Sequence, residues 1–274
     1  MSSTQADKAQ RFRSLHEQKT PLLMPNPWDI GSARILTQLG FEALATSSAA
    51  SAAALGRRDG SITRDEALAH ARSIVSATDL PVSADLENGF GQEPSVVAQT
   101  ILMAADTGLV GASIEDSTGN KDRPLYDIGH ATERITAAVE AARSLPFPFT
   151  LTARAENFLH GNANLDDTIQ RLVAYEKAGA DVLFAPALPD LAAVRAVCDA
   201  VSKPVNFMVG IRGKSFTVAE LTEAGVKRIS FGASFHRAAM ASLVNAAREA
   251  KEQGTFRYLD HTLTKAELNR LLPE

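Results

Sequence analysis

One stretch of the sequence reads Val82-Ser83-Ala84-Asp85-Leu86-Glu87-Asn88-Gly89-Phe90-Gly91, an apolar strand that runs into two carboxylates and a glycine turn. About one strand–helix–strand unit later, Gly111-Ala112-Ser113-Ile114-Glu115-Asp116 repeats the strand and its acidic end. Because neighbouring parallel strands end at the same edge of a sheet, we expect these four carboxylates to meet. Gathered carboxylates need a neutralising charge, and oxygen ligands on a rigid scaffold suit Mg²⁺ or Mn²⁺. Taken singly, Asp85 or Glu115 could instead pair with a neighbouring lysine or arginine.

Eight short apolar or β-branched runs alternate with longer amphipathic stretches along the chain. This alternation is typical of parallel strands joined by crossover helices. Eight such units in about 230 residues match the size of a closed (β/α)₈ barrel of the TIM type, so the sequence predicts an α/β fold. The predicted strands are 21–24, 42–46, 82–84, 111–114, 149–153, 181–185, 205–208 and 228–231.

Glycines and threonines mark where the helices should end and begin. Four glycines stand just before predicted strands, where a left-handed residue can end the preceding helix. Three Thr-x-x-Glu sequences read as capping boxes at helix starts. The glycines are Gly40, Gly108, Gly179 and Gly225, and the capping boxes are 63–66, 217–220 and 264–267.

Length and composition favour one domain over residues 1–274. With 45% hydrophobic and 22% charged residues, the chain can bury one substantial core, and no linker rich in Pro, Gly or Ser divides it. We expect an N-terminal helix over 5–19, the barrel over 21–250 and a C-terminal helix over 261–272.

Charge and cysteine content narrow the possible partners. The formal net charge is −4 and the 28 Lys and Arg residues are scattered, which argues against a nucleic-acid partner. A single cysteine, Cys198, excludes an intrachain disulfide, and we expect a buried structural thiol. Residues 1–19 are polar and no apolar run approaches about 20 residues, so we predict a soluble cytoplasmic protein without a membrane partner.

Two connections, 47–62 and 116–130, are too long to be simple strand-to-helix turns. Long loops in compact domains are usually functional. Both follow strands on the face where barrel enzymes carry out their chemistry, so we interpret both loops as lids.

Polar residues at the predicted strand ends indicate an anionic substrate beside the metal. Arg154 could bind a carboxylate or phosphonate through two parallel hydrogen bonds, and Ser47 and Ser48 could hold another oxygen. Arg154 could instead form only a salt bridge with Glu156 across the barrel top. Likewise, Ser47 and Ser48 could merely begin a turn, and Asp59 could be a turn residue.

Four segments resemble motifs of the isocitrate lyase and phosphoenolpyruvate mutase superfamily. Residues 85–91 resemble its D-x-D/E-x-G-Y/F-G segment, and Ile114-Glu115-Asp116 resembles its I-E-D strand end. Residues 153–156 are similar to its A-R-x-D/E segment, and residues 55–60 to its L-G-x-x-D-G loop. The order and spacing match over most of the chain.

The resemblance implies a (β/α)₈ barrel that forms dimers or tetramers, often with the last helix exchanged between paired subunits. It also implies that Asp85 binds magnesium, with Glu87 and Glu115 reaching the ion directly or through water. Members of this superfamily act on 2-oxo or 2-hydroxy acids through enolate-like intermediates.

Other roles follow from the resemblance by position. Ser47 and the Ser48 amide would hold the substrate carboxylate, Arg154 would hold a carboxylate or phosphonate, and Asp59 would lie near the reacting centre. The full set of predicted substrate-binding residues is Ser47, Ser48, Arg154, Glu156 and Asn206.

The loop at residues 120–126 departs from the superfamily pattern. It reads Asn-Lys-Asp-Arg-Pro-Leu-Tyr and lacks the cysteine that isocitrate and methylisocitrate lyases use, and also the Asn-Ser pair of the phosphonate branch. We therefore predict a magnesium-dependent lyase that does not use a cysteine and that cleaves an oxaloacetate-like 2-oxo or 2-hydroxy acid, with Asp59, Lys121 or Tyr126 moving protons. One alternative is a phosphonopyruvate hydrolase or phosphoenolpyruvate mutase activity, and another is a non-catalytic metabolite-binding barrel.

Overall fold

Eight parallel strands form a barrel in the computed structural model, which describes residues 3–272. The strands are β1 Leu22–Met24, β2 Leu44–Ala45, β3 Val82–Asp85, β4 Gly111–Glu115, β5 Thr150–Arg154, β6 Val182–Phe184, β7 Val205–Met208 and β8 Arg228–Ser230. Hydrogen bonds join them in the order β1-β8-β7-β6-β5-β4-β3-β2. Each predicted strand overlaps an observed one, so the predicted α/β barrel is confirmed.

The barrel is nearly closed. β1 pairs with β8, and Leu22 lies opposite Arg228 in that ladder. β1 and β2 are joined by a hydrogen bond from the Ala45 amide to the Pro25 carbonyl at 3.0 Å. The ends of all eight strands therefore surround one opening.

Eleven α-helices accompany the strands within residues 3–272. They are α1 Gln5–Leu15, α2 Ile30–Gln38, α3 Ser48–Ala54, α4 Arg64–Ser76, α5 Pro94–Ala105, α6 Ile128–Arg143, α7 Leu165–Lys177, α8 Leu191–Ala200, α9 Val218–Glu223, α10 Ser234–Arg248 and α11 Lys265–Leu271. A π-helical turn, Glu249–Gln253, and a 3₁₀ turn, Arg257–His261, lie between α10 and α11.

The two terminal helices are shorter than predicted. α1 ends at Leu15 rather than at residue 19, because the His16 side chain hydrogen-bonds the Phe12 carbonyl (2.8 Å) and the chain then turns into β1. α11 begins at Lys265 rather than at residue 261, because Thr264 is its N-cap. The predicted capping boxes are present in all three cases, and the four glycines before strands have φ between 86° and 102°.

α1 packs against the N-terminal side of the barrel. Its Ala9, Phe12 and Leu15 are buried in a cluster with residues of β1 and β2. A Cβ atom on Gly111 would lie 2.7 Å from the Thr150 carbonyl oxygen and 3.0 Å from the Phe12 ring. Gly111 therefore allows β4, β5 and the α1 side chain to approach one another.

The two long connections contain more regular structure than predicted. The first includes the short helix α3, of which Ser47 is the N-cap, because the Ser47 hydroxyl accepts a hydrogen bond from the Ala50 amide. In the second, Ser117 and Leu125 form an antiparallel bridge before α6 begins. A lid function for either segment stays a prediction.

Asp116 does not join the other strand-end carboxylates, which corrects the expectation that four acids meet at one place. Side chains alternate between the two faces of a strand, so consecutive Glu115 and Asp116 point in opposite directions. Asp116 is buried and accepts hydrogen bonds from Arg171 (3.0 Å), Tyr175 (2.7 Å) and the Glu156 amide (2.9 Å). Its carboxylate thus anchors α7 to the ends of β4 and β5.

The C-terminal helices leave apolar side chains on the surface. In α10 only His236 is buried, whereas Met240, Leu243 and Val244 are exposed. Exchange of a helix between subunits stays a prediction. Among residues 3–272, no helix combines the length and the apolar character that a membrane crossing requires.

Gly111→Ala is expected to reduce the free energy of unfolding by about 1–3 kcal/mol, because the added methyl group would meet a backbone oxygen that cannot move aside. Urea denaturation measures the change. Gly31→Ala, where the new Cβ atom would lie 3.6 Å from its nearest neighbour, is the matched control and should remain within about 0.5 kcal/mol of the parent protein. Equal stability of the two variants would contradict the close approach at Gly111.

Asp116→Asn is expected to cost about 3 kcal/mol, because it removes a buried negative charge that faces Arg171. Asp167 also contacts Arg171 (2.8 Å), so the arginine would keep one carboxylate partner. The loss of stability should therefore be smaller than for a buried arginine left without any partner. Urea denaturation again provides the measurement, with the exposed Asp122→Asn as control. A loss no larger than the control's would show that Asp116 is not a structural anchor.

Candidate active site

A cavity of about 260 Å³ opens at the C-terminal ends of the strands, where barrel enzymes place their chemistry. Six of the predicted site residues line it: Ser47, Ser48, Asp59, Asp85, Arg154 and Asn206. The other five do not border this cavity: Glu87, Glu115, Lys121, Tyr126 and Glu156. The structure therefore brings the predicted substrate-binding residues together, with the exception of Glu156.

Arg154 connects the acidic groups of the site. Its guanidinium lies 2.9 Å from Asp85, 3.2 Å from Glu115 and 2.9 Å from Glu156. Burial alone would lower the pKa of Arg154, but the three carboxylates raise it well above its usual value. One positive charge faces three carboxylates, so an additional positive charge would bring the cluster closer to neutrality.

The salt bridge between Arg154 and Glu156, left open by the sequence, is present. Glu156 is buried and its amide is held by Asp116, so the side chain contacts Arg154 rather than the cavity. Burial, followed by the charge of Asp116, raises the pKa of Glu156 to about 7, although Arg154 opposes the shift. Burial likewise raises the pKa of Glu115, which shares the same guanidinium.

Asp85 is held from two sides at the end of β3. One carboxylate oxygen accepts a hydrogen bond from Arg154, and the other accepts one from the Ser48 amide at 3.1 Å. The Thr46 hydroxyl accepts a hydrogen bond from the Asp85 amide at 3.1 Å. The serine segment that the sequence assigns to substrate binding therefore also fixes the orientation of the main candidate metal ligand.

Glu87 carries the clearest sign of a missing partner. It adopts a left-handed backbone conformation with φ of 49°, and its Oε1 atom is buried without a hydrogen-bond partner among the described residues. Burial, then the charges of Asp85 and Asp59, raises its pKa to about 7. A buried oxygen without a donor is costly, and a bound cation would satisfy it.

Arg134, which the sequence analysis missed, holds the turn that follows Glu87. It is buried and donates hydrogen bonds to the carbonyls of Asn88, Gly91 (3.0 Å) and Gln92 (3.1 Å). Its guanidinium stacks on the Tyr126 ring, 4.2 Å from the centroid. Here Tyr126 supports Arg134, and its assignment to proton transfer stays a prediction. An arginine inside an amphipathic helix offered no distinctive sequence signal.

Asp59 and Lys121 lie on the two long connections. Asp59 reaches the rim of the cavity, and burial, followed by the charge of Asp85, raises the pKa of its carboxyl group. Lys121 is exposed on the segment bridged by Ser117 and Leu125, away from the cavity. Of these two, Asp59 is the better placed for proton transfer in this conformation.

The opposite wall of the cavity, formed by β7 and β8, carries Asn206, Arg228 and Ser230. Arg228 donates a hydrogen bond to Asn206 Oδ1 at 2.8 Å, and Asn206 donates one to the Ser230 hydroxyl at 3.0 Å. Sequence analysis missed Arg228 as a site residue, although an arginine at the first position of an apolar strand was a usable signal.

The acidic side of the site fits a hard divalent cation in its chemistry. Asp85, Glu87 and Glu115 offer only oxygen donors, which Mg²⁺ and Mn²⁺ prefer, and Glu87 has an unsatisfied oxygen. Within residues 3–272, no three His, Cys, Asp or Glu side chains already converge as a metal cage. Arg154 bridges Asp85 and Glu115, so metal binding requires it to release at least one of them.

Comparison with known proteins identifies the family of the chain. The profile of the family described as phosphoenolpyruvate phosphomutase matches residues 12–251. The chain is 30% identical over 268 residues to the 2-methylisocitrate lyase of Escherichia coli, covering 94% of this chain and 89% of that one.

Two solved structures have the same fold. A protein of Burkholderia cenocepacia J2315, described only provisionally as a lyase/mutase, has a TM-score of 0.96 and 51% identity, covering 98% of this chain and 97% of that one. A 2,3-dimethylmalate lyase has a TM-score of 0.86 and 28% identity, covering 97% and 95%. The chain therefore belongs to the phosphoenolpyruvate phosphomutase family, within the isocitrate lyase/phosphoenolpyruvate mutase superfamily of lyases and mutases.

Proposed function

We propose that this protein is a magnesium-dependent lyase whose substrate is a small 2-oxo or 2-hydroxy carboxylic acid of the oxaloacetate type. The reaction is cleavage of a carbon–carbon bond in this acid, including decarboxylation. The observation that carries the proposal is the excess of carboxylates around Arg154, next to the unsatisfied oxygen of Glu87. Asp85, Glu87 and Glu115 would hold Mg²⁺. The ion would supply Lewis-acid stabilisation for the negative charge that develops on the substrate oxygen.

Arg154 has two roles in this proposal. Without substrate, it neutralises Asp85 and Glu115. When these acids take up a cation, its guanidinium can turn to the substrate carboxylate, for which its planar pair of donors is suited. Ser47 and the Ser48 amide would contact the same substrate, and Asp59 is the nearest candidate for proton transfer.

The position of Cys198 supports a mechanism without a thiol. Cys198 lies on α8 and its Cβ atom would contact a Cβ atom placed on Gly225, outside the cavity. It is half-buried rather than fully buried as predicted. Burial, followed by the charge of Asp199, raises the pKa of its thiol to about 12, which disfavours the reactive thiolate.

Cleavage of a C–P bond is the second candidate function, because the matching family profile is described as phosphoenolpyruvate phosphomutase. The same acidic site and Arg154 would bind a phosphonate in place of a carboxylate. Isomerisation of phosphonopyruvate to phosphoenolpyruvate, or its hydrolysis to pyruvate and inorganic phosphate, distinguishes this candidate from the release of pyruvate and carbon dioxide from oxaloacetate.

We also propose that the protein assembles as a homodimer or homotetramer. The exposed apolar side chains of α10, together with Phe256, Leu259 and Leu263 on the following segment, support this assembly. A second copy of the chain would cover them, with or without exchange of the last helix.

Asp85→Asn is expected to lower magnesium-dependent turnover by about 100-fold or more, because it weakens both the metal site and the contact with Arg154. A screen of 2-oxo and 2-hydroxy acids identifies the substrate, and calorimetry with oxalate and Mg²⁺ measures binding. Asp79→Asn, an exposed acid near Lys8 at 3.6 Å, is the matched control and should retain full activity.

Three results would test the site assignment, the catalytic activity and the metal proposal separately. Equal activity of Asp85→Asn and the control would contradict the site assignment. Binding of oxalate without turnover of any acid would favour the non-catalytic metabolite-binding alternative. No binding heat with oxalate and Mg²⁺ in the parent protein would contradict the metal proposal itself.

The metal-free protein is expected to lose stability as the pH rises from about 5 to about 8. Because the folded pKa of Glu87 is about 7, above its usual 4.5, the folded state binds more protons than the unfolded state in this range. Glu87→Gln should remove only part of the decline in melting temperature with pH. The rest should remain, because the pKa of Glu156 is also raised to about 7.

Addition of Mg²⁺ at pH 8 should raise the melting temperature more in the parent protein than in Glu87→Gln. At this pH the Glu87 carboxylate is free of its proton and can bind the ion, whereas the glutamine has no carboxylate. The exposed Glu17→Gln serves as control and should behave like the parent protein. An identical pH profile and identical Mg²⁺ response in all three proteins would rule out Glu87 as the titrating ligand.

A further inference from the structure

The wall of the cavity formed by β7 and β8 contains a buried arginine that has no carboxylate partner among residues 3–272. Arg228 begins β8, is 3% exposed and lines the cavity. Its guanidinium donates to Asn206 Oδ1 (2.8 Å) and Thr152 Oγ1 (3.0 Å), and it lies 3.4 Å from His16 Nε2. None of the ion pairs formed among residues 3–272 includes Arg228.

All three partners of Arg228 are neutral. Burial, and secondarily the charge of Arg228, lowers the pKa of His16 to about 3, so this histidine is uncharged near neutral pH. Burial, followed by the charge of Arg154, lowers the pKa of Arg228 itself to about 9, so the guanidinium keeps its charge at pH 7. A buried charge without a counter-ion is unfavourable, and an anion in the cavity would compensate it.

Arg228 also has donors to spare. A guanidinium has five N–H groups, and three of them are used by Asn206, Thr152 and His16, which leaves two. Two N–H groups suffice for one carboxylate. The cavity volume of about 260 Å³ is below the range of about 300–1,000 Å³ typical of drug-sized ligands, as expected for a small acid.

The two sides of the cavity therefore differ in how their charges are paired. Asp85, Asp59 and Arg154 border it from the metal side, where Arg154 and Asp85 form an ion pair, whereas Arg228 borders it from β8 without an ion pair among residues 3–272. We propose that Arg228 is a specificity-determining residue that binds the distal carboxylate of a dicarboxylic substrate, whose 2-oxo or 2-hydroxy carboxylate end lies on the metal side. This inference rests on the proposed function and assigns a residue of this chain to the second carboxylate of its oxaloacetate-type substrate.

The test compares malate with lactate in the presence of Mg²⁺, because both have a 2-hydroxy carboxylate and only malate has a distal carboxylate. Calorimetry on the parent protein should show malate binding at least about tenfold more tightly than lactate, the value of one charge-assisted hydrogen-bond pair. In Arg228→Met this preference should fall below about threefold, while Arg228→Lys should retain an intermediate preference.

Oxalate, which has no distal group beyond the metal side, is the internal control, and its dissociation constant should change less than about twofold in Arg228→Met. Arg195→Met, on the outer surface beside Glu223, is the matched control and should keep the full malate preference. A fall in malate preference together with weakened oxalate binding and a lowered melting temperature would indicate a structural role and overturn the inference.

Three further outcomes would also overturn it. An unchanged malate preference in Arg228→Met, with oxalate binding intact, would contradict the inference alone. Failure of oxalate to bind the parent protein would contradict the proposed function and, with it, the assignment of Arg228. Equal affinity of the parent protein for malate and lactate would exclude a distal carboxylate site.

Discussion

The guanidinium of Arg154, bound by Asp85, Glu115 and Glu156, is the interaction on which the site depends. It ties the ends of β3, β4 and β5 together at the mouth of the barrel. Carboxylates this close and this buried would repel one another without it. A single arginine faces three carboxylates, and this imbalance is the basis of the proposed cation site.

A second set of buried groups positions the first. Asp116, Arg171 and Tyr175 join α7 to the strand ends, and Arg134 holds the carbonyls of the turn after Glu87. These contacts face away from the cavity and act through the backbone. Such supporting contacts allow the acidic side chains to keep their positions despite their mutual repulsion.

The cavity is polar on both sides, but with opposite character. Asp59, Asp85 and Arg154 line one side, whereas Arg228, Arg237 and neutral polar groups line the side of β7 and β8. In the proposed function, the acidic side would hold the metal ion, and the residues of the second side would determine which acid fits. Function here follows from the placement of individual charges on a common fold.

The sequence by itself determined the eight strands, the helix caps and the identity of the acidic and arginine residues at the strand ends, because hydrophobic period and capping chemistry are local properties. Tertiary structure alone decided that Asp116 points away from the cavity, that Arg154 contacts three acids at once and that Tyr126 packs on Arg134. It also left Arg228 without a counter-ion within the described part of the chain, residues 3–272. These outcomes depend on distances between segments far apart in the chain, and no local pattern encodes them.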